Sequence, residues 1–134
     1  MTIRSTLKTT ITSNIAAYAA YGVNSELPFD DSGTPLHIKN MKRVYLDKEQ
    51  ATYEPYIKTL RKDCNLDAKV TTLSVYVTTD AKVIPTDIDA VISAIVAAKR
   101  SISTIDTTTE VTTEISDDYI TYTIEFGFTE LVAT

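Results

Sequence analysis

A catalytic centre needs a few polar groups that converge, and this sequence has few to offer. His37 is the only imidazole and Cys64 the only thiol among 134 residues. His37 lies between Leu36 and Ile38 in a Pro-containing stretch and reads as a solvent-facing loop histidine. No recognised ligand spacing links it to Cys64, and carboxylates would be needed to complete a zinc site. Arg61, Lys62 and Asp63 precede Cys64. The basic pair favours its thiolate, but a nucleophile needs a base and only His37 could serve. Gly22, Gly33 and Gly127 are too scattered for a phosphate-cradling loop. Asp30-Asp31 and Asp117-Asp118 read as turn residues. The expectation is a protein with no catalytic residues, no cofactor and no metal, which works by binding.

The elements that would position such residues come from periodicity. Ile3, Leu7, Ile11, Ile15 and Tyr18 recur at helical spacing, with Thr2 as cap and Gly22 as terminator. Residues 23–40 are rich in turn formers and predict a long loop. Met41 to Leu46 reads as a strand that the polar run Asp47 to Gln50 should end. Residues 49–62 fit a short helix starting at Pro55, an extended arm or a hairpin limb, because a proline inside a helix would cost about 3 kcal/mol. From Val70 to Thr79, Leu73, Val75 and Val77 alternate with polar positions, as in a strand. Pro85-Thr86 opens a second helix, with Thr86 and Asp89 at capping-box spacing. Its apolar stripe is Ile88, Val91, Ile92, Ile95, Val96 and Ile102. Two strands close the chain, Thr107 to Ser116 and Tyr119 to Leu131, joined by the turn Ser116-Asp117-Asp118. In the second, Ile120, Tyr122, Ile124, Phe126 and Phe128 share one face.

The fold class expected is α+β: a mixed or antiparallel β-sheet of about four to five strands with two amphipathic helices packed on it. One domain spans residues 1–134, with a long loop at about 23–40 and a possible extended arm at about 47–69. The 23 threonines suit strands. No apolar run reaches the roughly 18 residues of a membrane helix, and the N-terminal residues form no secretory leader. With one cysteine, a cytosolic origin is expected.

Charge is spread unevenly. The net charge is −5, which disfavours a nucleic-acid binder. From Lys39 to Lys69 eight basic residues face five acids, whereas Asp106 to Thr134 holds seven acids and no base. A chain polarised in this way can orient toward a copy of itself or another partner. Tyr45, Tyr53, Tyr56 and Tyr76 fall in or beside the basic segment. Tyrosine and arginine are enriched at protein interfaces, although rings packed on the sheet explain the same residues.

The order of an N-terminal amphipathic helix (Ile3 to Tyr18), a central strand (Thr72 to Thr79), a helix opened by Pro85-Thr86-Asp87 and a closing strand (Tyr119 to Phe126) resembles the tail terminator, or tail-completion, proteins of long-tailed bacteriophages. The likeness covers most of the chain as an ordering of elements, without a residue motif. It implies a homohexameric ring that caps the tail tube, ends its elongation and presents the surface that joins the head. The implied partners are the chain itself, the tail tube protein and a neck or head-completion protein, with DNA only passing through the ring and no membrane. The implied location is the tail–neck region of the virion, and the host cytoplasm during assembly. On this reading the arm contacts a neighbouring subunit through Tyr53, Tyr56, Arg61 and Lys62. Other readings are a neck or head-completion connector, a small non-enzymatic ligand-binding module, and a small hydrolase using Cys64.

Overall fold

A computed structural model describes residues 2–16, 18, 21–23, 42–57, 66–104 and 106–133 of the chain. Helix α1 runs Ile3–Asn14, followed by the two-residue strand β1, Gly22–Val23, and by β2, Lys42–Leu46. Strand β3 covers Gln50–Ile57 and β4 covers Leu66–Asp80. Helix α2, Ile88–Ala97, leads into a 3-10 turn at Ala98–Ser101. Strands β5, Asp106–Ile115, and β6, Tyr119–Ala133, complete the fold. Most of residues 23–40 lie outside the described residues.

The strands form one six-stranded sheet in the order β1-β2-β4-β6-β5, with β3 also paired to β4. Every pairing is antiparallel except the short parallel contact of β1 with β2. The architecture is therefore α+β, with two helices on one face of a largely antiparallel sheet. β4 and β6 pair along their whole length, from Leu66↔Ala133 to Asp80↔Tyr119. Fifteen residues of strand extend about 50 Å.

Because partners across an antiparallel ladder share a face, Leu73, Val75 and Val77 lie beside Phe126, Ile124 and Tyr122. Leu7, Ile11 and Ile15 and, from the second helix, Ile88, Val91, Ile95 and Ala98 pack on this face in one core with Val44, Leu46 and Phe128. Each fully buried aliphatic or aromatic side chain contributes about 1.5–3 kcal/mol, so the helices need only one apolar stripe each.

Local expectations meet the structure unevenly. Thr2 caps α1, its Oγ1 accepting from Ser5 N–H at 3.1 Å. The helix ends at Asn14, not Tyr18, and Gly22 does not terminate it. Tyr18 N–H and Tyr21 N–H donate to the carbonyls of Ile15 and Tyr18 in successive tight turns, and Gly22 enters β1 opposite Arg43. The capping box at α2 does not form: the N-cap is Asp87, with no side-chain cap bond. Its carboxylate Oδ1 instead accepts from the Tyr21 hydroxyl at 3.1 Å, which ties the segment after α1 to the start of α2.

β2 ends at Leu46, where the polar run begins, and pairing with β4 resumes at Gln50. Leu46 pairs with Val75 and Gln50 with Thr72. Asp47, Lys48 and Glu49 thus oppose only Ser74 and Leu73, a one-residue bulge. Residues 50–57 then form the hairpin limb, not a helix. α1 fastens the bulge. Arg4 Nε donates to the Asp47 carbonyl at 2.9 Å and Nη2 to the Leu46 carbonyl at 2.8 Å. Glu49 Oε2 accepts from Arg4 N–H at 3.1 Å, placing a carboxylate at the positive end of the helix. Pro55 fits a strand because its missing N–H falls on the unpaired side. Asp47 N–H donates to Ser74 C=O; by alternation Gln50, Thr52 and Glu54 bond β4 while Ala51, Tyr53 and Pro55 face outward.

Replacing Arg4 by Ala is expected to cost about 1.5–3 kcal/mol, since two bonds from a charged donor are lost at a partly buried site. Urea denaturation of the two chains measures it. Alkaline pH supplies a second check. Burial, then the hydrogen bond to Asp87, raises the Tyr21 phenol above its usual pKa of 10.0. The folded chain keeps a proton that the unfolded chain releases, so this contribution is complete below about pH 10 and is lost as pH rises beyond it. Tyr21→Phe is expected to flatten the alkaline slope of stability, read from denaturation midpoints at a series of pH values.

Candidate assembly interface

The sheet has a second face that neither helix covers. It carries the alternate residues of each strand, so Thr72, Ser74 and Tyr76 of β4 lie beside Gly127, Glu125 and Thr123 of β6. β5 adds Thr108, Glu110 and Thr112 to these rows. Tyr45 and Tyr76 sit opposite each other and stack, with ring centroids 6.2 Å apart and planes at 16°. Burial, then the Asp47 charge, raises the Tyr76 pKa. The middle of the face is polar and half-exposed, while Thr78, Asp80 and Tyr119 at one end are buried.

Two shallow depressions indent this face. One, of about 210 Å³, opens where Gly127 lacks a side chain and is walled by Val70, Thr72, Thr108, Glu110 and Glu125. The other, of about 190 Å³, shares Glu125 and adds Asp47, Lys48 and Ser74. A third, of about 420 Å³, lies at the start of α1 beside Glu49, Lys69, Thr71 and Glu130. Their open walls suit side chains of another macromolecule better than an enclosed small molecule. Among the described residues no group of three or more His, Cys, Asp and Glu side chains is placed to hold a metal. His37 and Cys64 lie outside the described residues.

Of the four contact residues expected from the sequence, Tyr53 is placed. It stands on the outer strand β3, 57% exposed, with Lys69 Nζ 5.9 Å from its ring centre. An exposed aromatic beside a cation has the chemistry of an interface anchor. The Tyr56 backbone lies in β3 where the register shifts between Pro55 and Ile57. Its side chain, like Arg61 and Lys62, lies outside the described residues. Tyr45 and Tyr76 occupy the open face, so the tyrosines are not one cluster.

Sequence reasoning passed over the other side of the sheet. Glu110 stands directly opposite Glu125 across the β5–β6 ladder, and both are exposed. Like charges in directly opposed positions destabilise a sheet. Asp106, Glu110 and Glu114 all share that face. This was within reach of the sequence, because counting outward from the Ser116–Tyr119 turn pairs residue 110 with 125. On the helix side of the same strand Val111 is 44% and Ile115 76% exposed. The acidic part of the chain therefore forms one side of the sheet. Of the described basic residues, Lys42, Arg43 and Lys48 lie on and beside β2, on the other, whereas Lys99 Nζ reaches Thr109 Oγ1 of β5 at 3.5 Å.

A methyl group at position 127 would sit 2.5 Å from Thr108 Oγ1. Gly127→Ala is expected to destabilise the fold by about 1–3 kcal/mol, and adding Thr108→Ala is expected to recover most of that loss. Chemical denaturation of the two single variants and the double variant measures the coupling.

No protein-family model matches the chain, and no curated protein matches it.

Proposed function

We propose that this protein is a virion assembly component of the tail terminator type, which acts by binding copies of itself in a ring and seating that ring on the end of a tail tube. The observation that carries this reading is the polarity of the sheet: the acidic outer strand β5 on one side and Lys42, Arg43 and Lys48 on and beside β2 on the other. A surface with opposite charge on opposed sides favours head-to-tail contacts. Such contacts close into a ring when the rotation between neighbours is right. The ordering of elements supports the same reading. So does the exposed Tyr53 on the hairpin limb, an aromatic anchor beside Lys69. In this role the protein works through docking and register, with no chemical step, and its further partners are the tail tube protein and a neck or head-completion protein.

The test is tube growth. Tail tube protein polymerised with this chain is expected to give tubes of limited length bearing ring-shaped density at one end in negative-stain images. Tubes of unaltered length with bare ends would exclude the terminator role. Rings that ignore the tube yet bind a head-completion protein would move the assignment to the neck.

A further inference from the structure

The depression at the start of α1 is lined by polar groups that the fold leaves unmet. Thr71 forms its floor at 2% exposure, and the Thr71 hydroxyl has no hydrogen-bond partner among the described residues. A hydroxyl buried in this way is uncommon, because it gives up water without gaining a partner. The first turn of α1 supplies a second unmet group. The N–H groups of Arg4, Ser5 and Thr6 donate to Glu49 Oε2, Thr2 Oγ1 and the Thr2 carbonyl. The Ile3 N–H has no acceptor among the described residues, and it stands at the positive end of a 12-residue helix.

The charged walls are also unpaired with each other. Lys69 stands directly between Tyr53 of β3 and Glu130 of β6. Its ammonium lies over the Tyr53 ring, 5.9 Å from the centroid, and no ion pair joins it to Glu130 among the described residues. Glu49 lines the same depression. This mixture of signs selects the ligand. A simple anion would meet Glu49 and Glu130, whereas a simple cation would meet Lys69 and the positive end of α1. Only a ligand with one charge of each sign answers both. Lys69 and Glu130 root on opposed positions, where Cβ atoms lie about 4.5–5.5 Å apart. That closeness suits two charged groups borne on one carbon. Ile3 and Ala51 add apolar wall, and the volume of about 420 Å³ leaves room for a side chain.

We infer that the depression at the start of α1 is a binding site for a free α-amino acid with an uncharged side chain. Ile3 N–H and Lys69 take its carboxylate, to which the Thr71 hydroxyl also donates. Glu130 and Glu49 take its ammonium. A free amino acid is no larger than the side chains that such open walls suit, and it leaves part of itself in water. Exposed charge pairs are weak, so the dissociation constant is expected on the order of 1 mM.

Titration of the full chain with L-leucine, followed by amide chemical shifts, tests this. Saturable shifts are expected at Ile3 and Thr71. N-acetyl-leucine lacks the ammonium and leucinamide lacks the carboxylate, and each is expected to bind at least about tenfold more weakly. Lys69→Met and Glu130→Gln are each expected to weaken L-leucine binding about tenfold. Thermal melts of both are expected to match the unaltered chain, because the two side chains are partly exposed and form no ion pair with each other. Thr71→Val keeps the volume and removes the unmet hydroxyl, so the fold is expected to be at least as stable while binding weakens severalfold. A merely structural threonine would not separate the two readouts. No saturable shift with L-leucine up to about 50 mM would overturn the site. Equal binding by either blocked analogue, or undiminished binding by both charge variants, would overturn it as well. The tube-growth experiment bears on the assembly reading alone.

Discussion

The full-length pairing of β4 with β6 is the constraint on which the rest of the structure depends. Every other strand except β1 hangs from one of these two: β2 and β3 from β4, and β5 from β6. The helices pack on the apolar side of the same pair. An antiparallel ladder of this length makes register strict, since a slip of β6 by one residue would turn Phe126, Ile124 and Tyr122 to the wet face and bring Thr123 and Glu125 into the core. The one-sided apolar pattern therefore holds both the pairing and the layer order.

A second dependence runs through the first turn of α1. Arg4 reaches two backbone carbonyls at the bulge between β2 and β3, and Glu49 returns a carboxylate to the helix. This reciprocal contact lets one continuous stretch of chain, Lys42 to Ile57, serve both halves of β4 despite three polar residues in the middle. Tyr21 and Asp87 do similar work at the other end of the helical layer, where the carboxylate forgoes capping α2 to hold a buried hydroxyl. In both places a polar group gives up a local bond for a long-range one, which fixes how the layers meet.

Those contacts leave the two sides of the sheet chemically different. The helices cover β2, β4 and β6 but leave the apolar row of β5 exposed, and the acids gather where the helices do not reach. The uncovered face between is rich in threonine, whose short β-branched side chains satisfy strand geometry without demanding a cover. Uneven charge along the sequence becomes uneven charge across the molecule because sequence-distant strands take opposite sides of one sheet.

How much of this was legible beforehand depended on the range of the interaction responsible. The sequence by itself determined the apolar stripe of each helix, the Thr2 cap, the alternation of Tyr119 to Phe128 and the turn at Ser116, because periodicity and turn chemistry act over a few residues. It also held the opposition of Glu110 and Glu125, since a tight hairpin carries register outward from its turn. Only the tertiary structure decided that residues 50–57 pair with β4, that Gly22 belongs to a strand and that Asp87 serves Tyr21 in place of its own helix. In each of these the deciding partner lies nine or more residues away, and the local residues were compatible with several conformations until that partner chose among them.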